Sequence, residues 1–182
     1  PIISEESTPI SFQERRLWPR YWLIDPLDGT KEFLKKNDEF TINIALIDQH
    51  KPILGVIFAP ALDVCYLAED TKGAFKQIAQ NRPQPLHSRA WEEGSTITAA
   101  VSRRHGMNAL KIFLAQFEHL NLLHCGSALK FCFLAEGLAD IYPRFSPTFE
   151  WDTAAGQCIL EQAGGAIIDY KGKPLRYNMS SS

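Results

Sequence analysis

Apolar and polar positions change rhythm near the middle of this chain. In the first half, short stretches alternate or run apolar for four to nine residues: Tyr21–Ile24, Phe40–Asp48, Ile53–Phe58 and Asp63–Ala68. Turn formers such as His50-Lys51-Pro52 punctuate them, so each stretch predicts a strand. The connections are too short for crossover helices, so the strands read as an antiparallel meander continuing through Lys72–Phe75. Ile2 and Ile3 read as a strand end, followed by a polar loop through Pro19. Thr30–Phe33 predicts a short helical turn, and Asn81–Ser88, with two prolines, a connector between lobes.

The second half alternates strand and helix periods. Ile97–Ser102, Leu120–His124, Ala139–Tyr142 and Ala166–Tyr170 read as strands, the last turning at Lys171-Gly172. Met107–Phe117, Ala128–Glu136 and Thr153–Ala163 carry helical spacing, the latter two stopped by Gly137 and by Gly164-Gly165. The whole predicts an α/β (α+β layered) protein: one catalytic domain of two lobes. Residues 1–84 would form an antiparallel sheet lobe carrying metal, and residues 85–182 an α/β lobe facing the substrate.

Composition narrows the classes. A chain of 182 residues with 45% hydrophobic content can bury a core. A net charge of −2 gives no footing for nucleic-acid binding, which draws on Lys and Arg against phosphates. No apolar run approaches the roughly 20 residues that span a bilayer, and no signal peptide opens the chain. Cys65, Cys125, Cys132 and Cys158 lack metal spacing and read as core residues of an intracellular, reducing compartment. Cys125, beside Gly126 and Ser127, is a candidate nucleophile without a visible triad.

The chemistry concentrates in Trp22-Leu23-Ile24-Asp25-Pro26-Leu27-Asp28-Gly29-Thr30, where an apolar run delivers two carboxylates into a sharp turn. Two like charges held together are costly unless a cation lies between them, and hard divalent ions such as Mg²⁺ take oxygen ligands. Two residues separate the acids, whereas an aspartyl-phosphate-forming phosphatase has one, so the pair reads as a metal holder. The alternative is a plain Pro-x-Asp-Gly turn. Glu5-Glu6 after the first strand and Asp152 before a helix complete a set of acids at element ends. Each has an ordinary reading too, Glu5-Glu6 as solvated loop and Asp152 as a helix N-cap.

Ser-Glu-Glu, then Trp-Leu-Ile-Asp-Pro-Leu-Asp-Gly-Thr-Lys-Glu-Phe, then Trp-Asp-Thr-Ala-Ala-Gly resembles the inositol-monophosphatase-like family of Mg²⁺-dependent, Li⁺-sensitive phosphatases across nearly the whole chain. Within it, Lys31-Glu32-Phe33, Gly126-Ser127-Ala128-Leu129-Lys130-Phe131 and Tyr142-Pro143-Arg144-Phe145 are similar to the 3′(2′),5′-bisphosphate nucleotidase branch. The resemblance implies a sugar-phosphatase fold of alternating layers with two sheets, and a cytoplasmic enzyme, in bacteria with an association to the inner membrane surface.

Carried over by position, Glu5, Asp25, Asp28, Asp152 and the Leu27 carbonyl would hold two or more Mg²⁺ ions. Such ions would activate water and stabilise the leaving oxygen. Glu6 would orient the ligands, Thr30 would align the attacking water, and the amides of Gly29 and Thr30 would face the scissile phosphate. Gly126, Ser127, Lys130 and Arg144, helped by Ser102 and His105, would bind the second phosphate; alone, Lys130 and Arg144 read equally as solvated charges.

The implied reaction is hydrolysis of 3′-phosphoadenosine 5′-phosphate to AMP and phosphate. The rivals are an inositol or other sugar phosphatase, and a noncatalytic nucleotide- or metal-binding remnant. The family also leads one to expect a helical segment ahead of Ser4, with an Asp paired to Thr30, and a fuller C-terminal strand. The chain opens at Pro1 and ends Tyr177-Asn178-Met179-Ser180-Ser181-Ser182 without either.

Overall fold

The computed structural model describes residues 1–103 and 107–180. Seven strands form one sheet whose spatial order follows the chain: β1 (Ile2–Ser4), β2 (Arg20–Asp28), β3 (Thr41–Asp48), β4 (Lys51–Ala59), β5 (Val64–Glu69), β6 (Gly73–Ile78) and β7 (Gln84–Pro85). β1 runs parallel to β2, and every later pair is antiparallel. The meander is therefore as expected, and β2, β4 and β6 run longer than the stretches that predicted them. The Asn81–Ser88 segment does more than connect. It adds β7 to the sheet edge, with the Leu86 amide donating to Ala74 O at 2.8 Å and its side chain buried.

The predicted loop before Pro19 contains a helix, α1 (Phe12–Arg15), capped by Ser11, whose hydroxyl accepts from the Glu14 amide. Ser11-x-x-Glu14 is a capping-box sequence, a legible start signal in a loop otherwise read as polar. The expected short turn appears as α2 (Thr30–Leu34).

In the second half, β8 (Ile97–Val101) and β9 (Leu120–His124) pair in parallel around α3 (Met107–Leu114). α4 (Leu129–Ala135) and α5 (Glu150–Gln162) follow. Two expected strands shrink to single bridges. Ala139–Tyr142 lies beside β8 but pairs only at Ala99–Ile141, since Pro143 has no amide to extend the ladder. Ala166–Tyr170 bridges only at Ile168–Pro174. There Asp169 Oδ1 accepts from the amides of Lys171 and Lys173, replacing ladder bonds with a side-chain-held turn.

α5 lies across the seven-stranded sheet, and one buried cluster joins Tyr21, Leu23, Ile47 and Ile57 of that sheet to Leu129, Cys132, Ala155 and Ile159 of α4 and α5. The approach is close. A Cβ on Gly55 would stand 2.6 Å from Ala155 O, and one on Gly156 would overlap the Phe131 side chain. Gly55 thus lets α5 lie close on the sheet and Gly156 lets α4 close on α5, while the acidic first turn of α5 reaches the Asp turn. Among the described residues no helix is long and apolar enough to cross a membrane.

Candidate metal centre and anion-binding cavity

Asp25 and Asp28 lie on one strand at an odd spacing, which in an unbroken strand would send them to opposite faces. The ladder with β3 shows why they do not diverge. Asp25 pairs with Asn43 and Asp28 with Thr41, so three steps on β2 match two on β3. The extra residue is a β-bulge at Pro26-Leu27, and it re-aims the second carboxylate. The Leu27 amide donates to Asp25 Oδ1 at 3.0 Å, closing the bulge locally. Asn43 Nδ2 reaches Asp28 Oδ2 at 3.4 Å, and the Thr41 hydroxyl donates to Asn43 Oδ1 at 3.0 Å.

Asp152 enters from α5. Asp152 is not the N-cap: the cap position is Phe149, and Asp152 is the third helical residue. Its Oδ2 accepts from the Phe149 amide at 3.1 Å and the Thr148 hydroxyl at 2.7 Å, so it closes the helix start from within. One oxygen each from Asp25, Asp28 and Asp152 lies within 4.8 Å of the others.

That crowding has an electrostatic signature. Asp25, only 1% exposed, is pushed up to about 8, by burial first and then by Asp28. Asp28 is pushed up to about 6, by burial and then by Asp152, with Lys130 pulling the other way. Buried oxygen donors that resist ionisation side by side are what a hard divalent cation relieves, so the donor set fits Mg²⁺.

The acids line one wall of a cavity of about 450 Å³. Glu5, Leu27, Gly29, Thr30, Ser102, Gly126, Ser127, Lys130 and Arg144 line it as well. Glu5 is delivered by the β1–β2 pairing, its amide bonded to Ile24 O at 3.2 Å, and its carboxyl adds to the upward push on Asp25. Glu6 is exposed and is not among the residues lining this cavity, because β1 ends at Ser4 and the chain turns away. His105 lies outside the described residues. The Thr30 hydroxyl faces Leu27 O at 3.5 Å.

The opposite wall differs in detail from the expected one. Lys130 is not a solvated charge. It is 3% exposed, donates to Ser127 O at 2.6 Å, and sits 5.2 Å from the centre of the Tyr142 ring. Arg144 donates to the Tyr142 hydroxyl at 3.1 Å and to Pro147 O at 3.2 Å, with Asp152 4.0 Å away. Ser127 takes a positive φ of 45° and its Oγ lies 3.0 Å from Thr41 Oγ1. Since the Thr41 proton goes to Asn43, the Ser127 hydroxyl donates to Thr41. The Gly126 amide is also committed, donating to Glu39 Oε2 at 2.7 Å.

Cys125 does not behave as a nucleophile: burial pushes its thiol up to about 11, and the four cysteines are free. Residues to which the motif reading gave no site role include Thr41 and Asn43, which brace Asp28, and Tyr142, which packs on Lys130. Thr41 and Asn43 are polar residues at inward positions of an otherwise apolar strand, a signal present in the sequence.

Comparison with known proteins agrees with this geometry. The inositol monophosphatase family matches residues 1–182. The chain is 46% identical over 188 aligned positions to the 3′(2′),5′-bisphosphate nucleotidase CysQ of Escherichia coli (strain K12), covering all of this chain and 72% of that protein. It is 38% identical to the enzyme of the same name from Haemophilus influenzae, covering 98% of this chain and 66% of that protein. The crystal structure of CysQ from Bacteroides thetaiotaomicron superimposes with a TM-score of 0.88 at 38% identity, over 98% of this chain and 72% of that one. With its bulged Asp pair, its helix-borne third Asp and a match along its full length, the chain belongs to the inositol monophosphatase family.

Proposed function

We propose that this protein is a Mg²⁺-dependent phosphomonoesterase that hydrolyses 3′-phosphoadenosine 5′-phosphate, a 3′(2′),5′-bisphosphate nucleotide, to AMP and phosphate in the cytoplasm. The observation that carries the reading is the pairing, across one cavity, of three carboxylates within 4.8 Å and a wall bearing Lys130 and Arg144. A monophosphate needs only the first of these; a bisphosphate uses both.

Asp25, Asp28 and Asp152, with Glu5 and the Leu27 carbonyl beside them, would hold two or more ions. Bound there, Mg²⁺ supplies a water of lowered pKa and charge stabilisation for an in-line displacement. The chain's own part is positioning. The bulge fixes the Asp25–Asp28 separation, and Asn43 fixes the Asp28 carboxylate. Thr30, at the start of α2 with its hydroxyl 3.5 Å from Leu27 O, would align the attacking water, and the turn amides of Gly29 and Thr30 would face the phosphate. Lys130, desolvated against Tyr142, offers a buried positive charge to the second phosphate, and Arg144 a planar set of donors.

Phosphate release from 3′-phosphoadenosine 5′-phosphate and from inositol monophosphate, with Mg²⁺ present, separates the readings. The nucleotide is expected to turn over with a kcat/KM at least about 100-fold higher, roughly 2.7 kcal/mol of discrimination by the second anion site. A higher kcat/KM for the inositol ester would sink the nucleotide assignment, and nucleotide binding without any hydrolysis would favour the noncatalytic remnant.

A further inference from the structure

Behind the cavity lining, Glu39 bonds to two of the lining residues, Arg103 and Gly126, and nothing in the phosphatase reading uses it. Glu39 lies in the short link between α2 and β3. Its side chain grips two segments of the other wall. Oε2 accepts from the Gly126 amide at 2.7 Å, and both oxygens engage the Arg103 guanidinium, with Oε1 accepting from Nη2 at 2.7 Å. Arg103, which follows β8 and lines the cavity, also approaches His124 O at the end of β9, at 3.4 Å. The fork of charged hydrogen bonds holds the Glu39 carboxyl below its usual range.

The Glu39 backbone is equally tightly placed. Its carbonyl oxygen would lie 3.0 Å from a Cβ on Gly126 and 3.3 Å from one on Gly29. One residue is therefore wedged between the turn that carries Asp28 and Thr30 and the turn that carries Ser127. Ser127 itself holds a φ of 45°, costly for a residue with a Cβ unless its surroundings enforce it. Its carbonyl is the acceptor for Lys130 Nζ. The chain of contacts runs Arg103, Glu39, Gly126, Ser127, Lys130: it leaves the second half at Arg103, crosses Glu39 of the first half and returns to the cation on α4.

Taking the nucleotide proposed above as substrate, we infer that Glu39 and Arg103 form a clamp that positions the Gly126–Ser127 wall against the acidic cluster, and so sets the distance between the two phosphate sites. Both are positioning residues: Arg103 is occupied by Glu39, and the Gly126 amide is occupied too, so neither is offered to the ligand. Loosening the clamp leaves the carboxylates and their bulge intact but blurs the span that a two-phosphate ligand must match. Affinity suffers, and the chemical rate survives.

The test uses the full chain in E39A, R103M, R103K and the E39A/R103M double form, with Mg²⁺ and 3′-phosphoadenosine 5′-phosphate. E39A and R103M are each expected to raise KM about tenfold with kcat within about threefold, and the double variant to be no worse than the weaker single, as for two halves of one device. R103K, which keeps charge but not the fork, is expected to recover part of the loss. Hydrogen exchange at the Gly126 amide of the metal-free protein supplies a readout independent of turnover, and it is expected to quicken in both single variants. Arg103 is exposed, so R103M keeps the test valid even where E39A lowers the melting temperature. A raised KM in R103M with an unchanged or lowered KM in E39A would make Arg103 a direct ligand and overturn the clamp. So would a fall in kcat at constant KM, or unaltered Gly126 exchange in both. If the wild-type chain leaves the nucleotide untouched, the substrate assignment falls, and the exchange measurement alone decides the clamp.

Discussion

At the scale of single residues, the site is a set of carboxylates destabilised by one another. Asp28→Asn removes one charge from a cluster whose members lie within 4.8 Å. It is expected to lower kcat by at least about 100-fold, since even residues behind a metal ligand cost 10–100-fold. The metal-free melting temperature should stay level or rise, because repulsion is relieved; circular dichroism melts alongside phosphate release check both. The pH dependence has a definite sign. Asp25 at about 8 and Asp28 at about 6 bind more protons folded than unfolded, where a carboxyl titrates near 3.8. Stability from these groups is thus fullest near pH 4 and is lost as pH rises toward 8. Melting temperatures of the metal-free chain should fall from pH 5.5 to pH 8, and added Mg²⁺ should reverse the trend. Sequence spacing singled out Asp25 and Asp28, whereas Asp152 stood out only by its place before a helix and by the family resemblance. Spacing was not enough for Glu39, whose role comes from Arg103 and Gly126, 64 and 87 positions away.

At the scale of elements, alternation and turn formers located every long strand of the first sheet, because each buries one face and repeats every two residues. The same rules overstated Ala139–Tyr142 and Ala166–Tyr170, whose apolar character serves packing and a turn instead of a ladder. The bulge at Pro26-Leu27 was equally hidden: Pro26 and Gly29 announce a bend, but only pairing with Asn43 and Thr41 says which residue is extra. The contact of α5 with the sheet gives a sharp expectation. In Gly55→Ala a methyl must displace Ala155 O from 2.6 Å, an overpacking cost of about 1–3 kcal/mol. The variant should melt several degrees lower than wild type, and its activity should drop further than its stability, because α5 carries Asp152. A melt unchanged from wild type would contradict the close helix–sheet approach.

At the scale of the whole molecule, one buried cluster extends from Tyr21 to Tyr177 and includes residues of both halves. The chain is therefore expected to unfold in one cooperative transition, with fluorescence and circular dichroism melts coinciding. Mg²⁺ at about 100 times its dissociation constant should shift that transition by about 2.7 kcal/mol. Two separated transitions would mean the halves are held together less tightly than this core implies. The sequence by itself determined what depends on near neighbours: the strand meander, the helix stops, the oxygen-rich turn and the family to which these motifs point. The tertiary structure alone decided which atoms converge. The bulge register, the burial that makes Asp25 reluctant to ionise, the desolvation of Lys130 against Tyr142 and the Glu39–Arg103 grip each join residues remote along the chain. Local pattern carries no information on such distances, since they are set by how closely α5 and the two sheets pack.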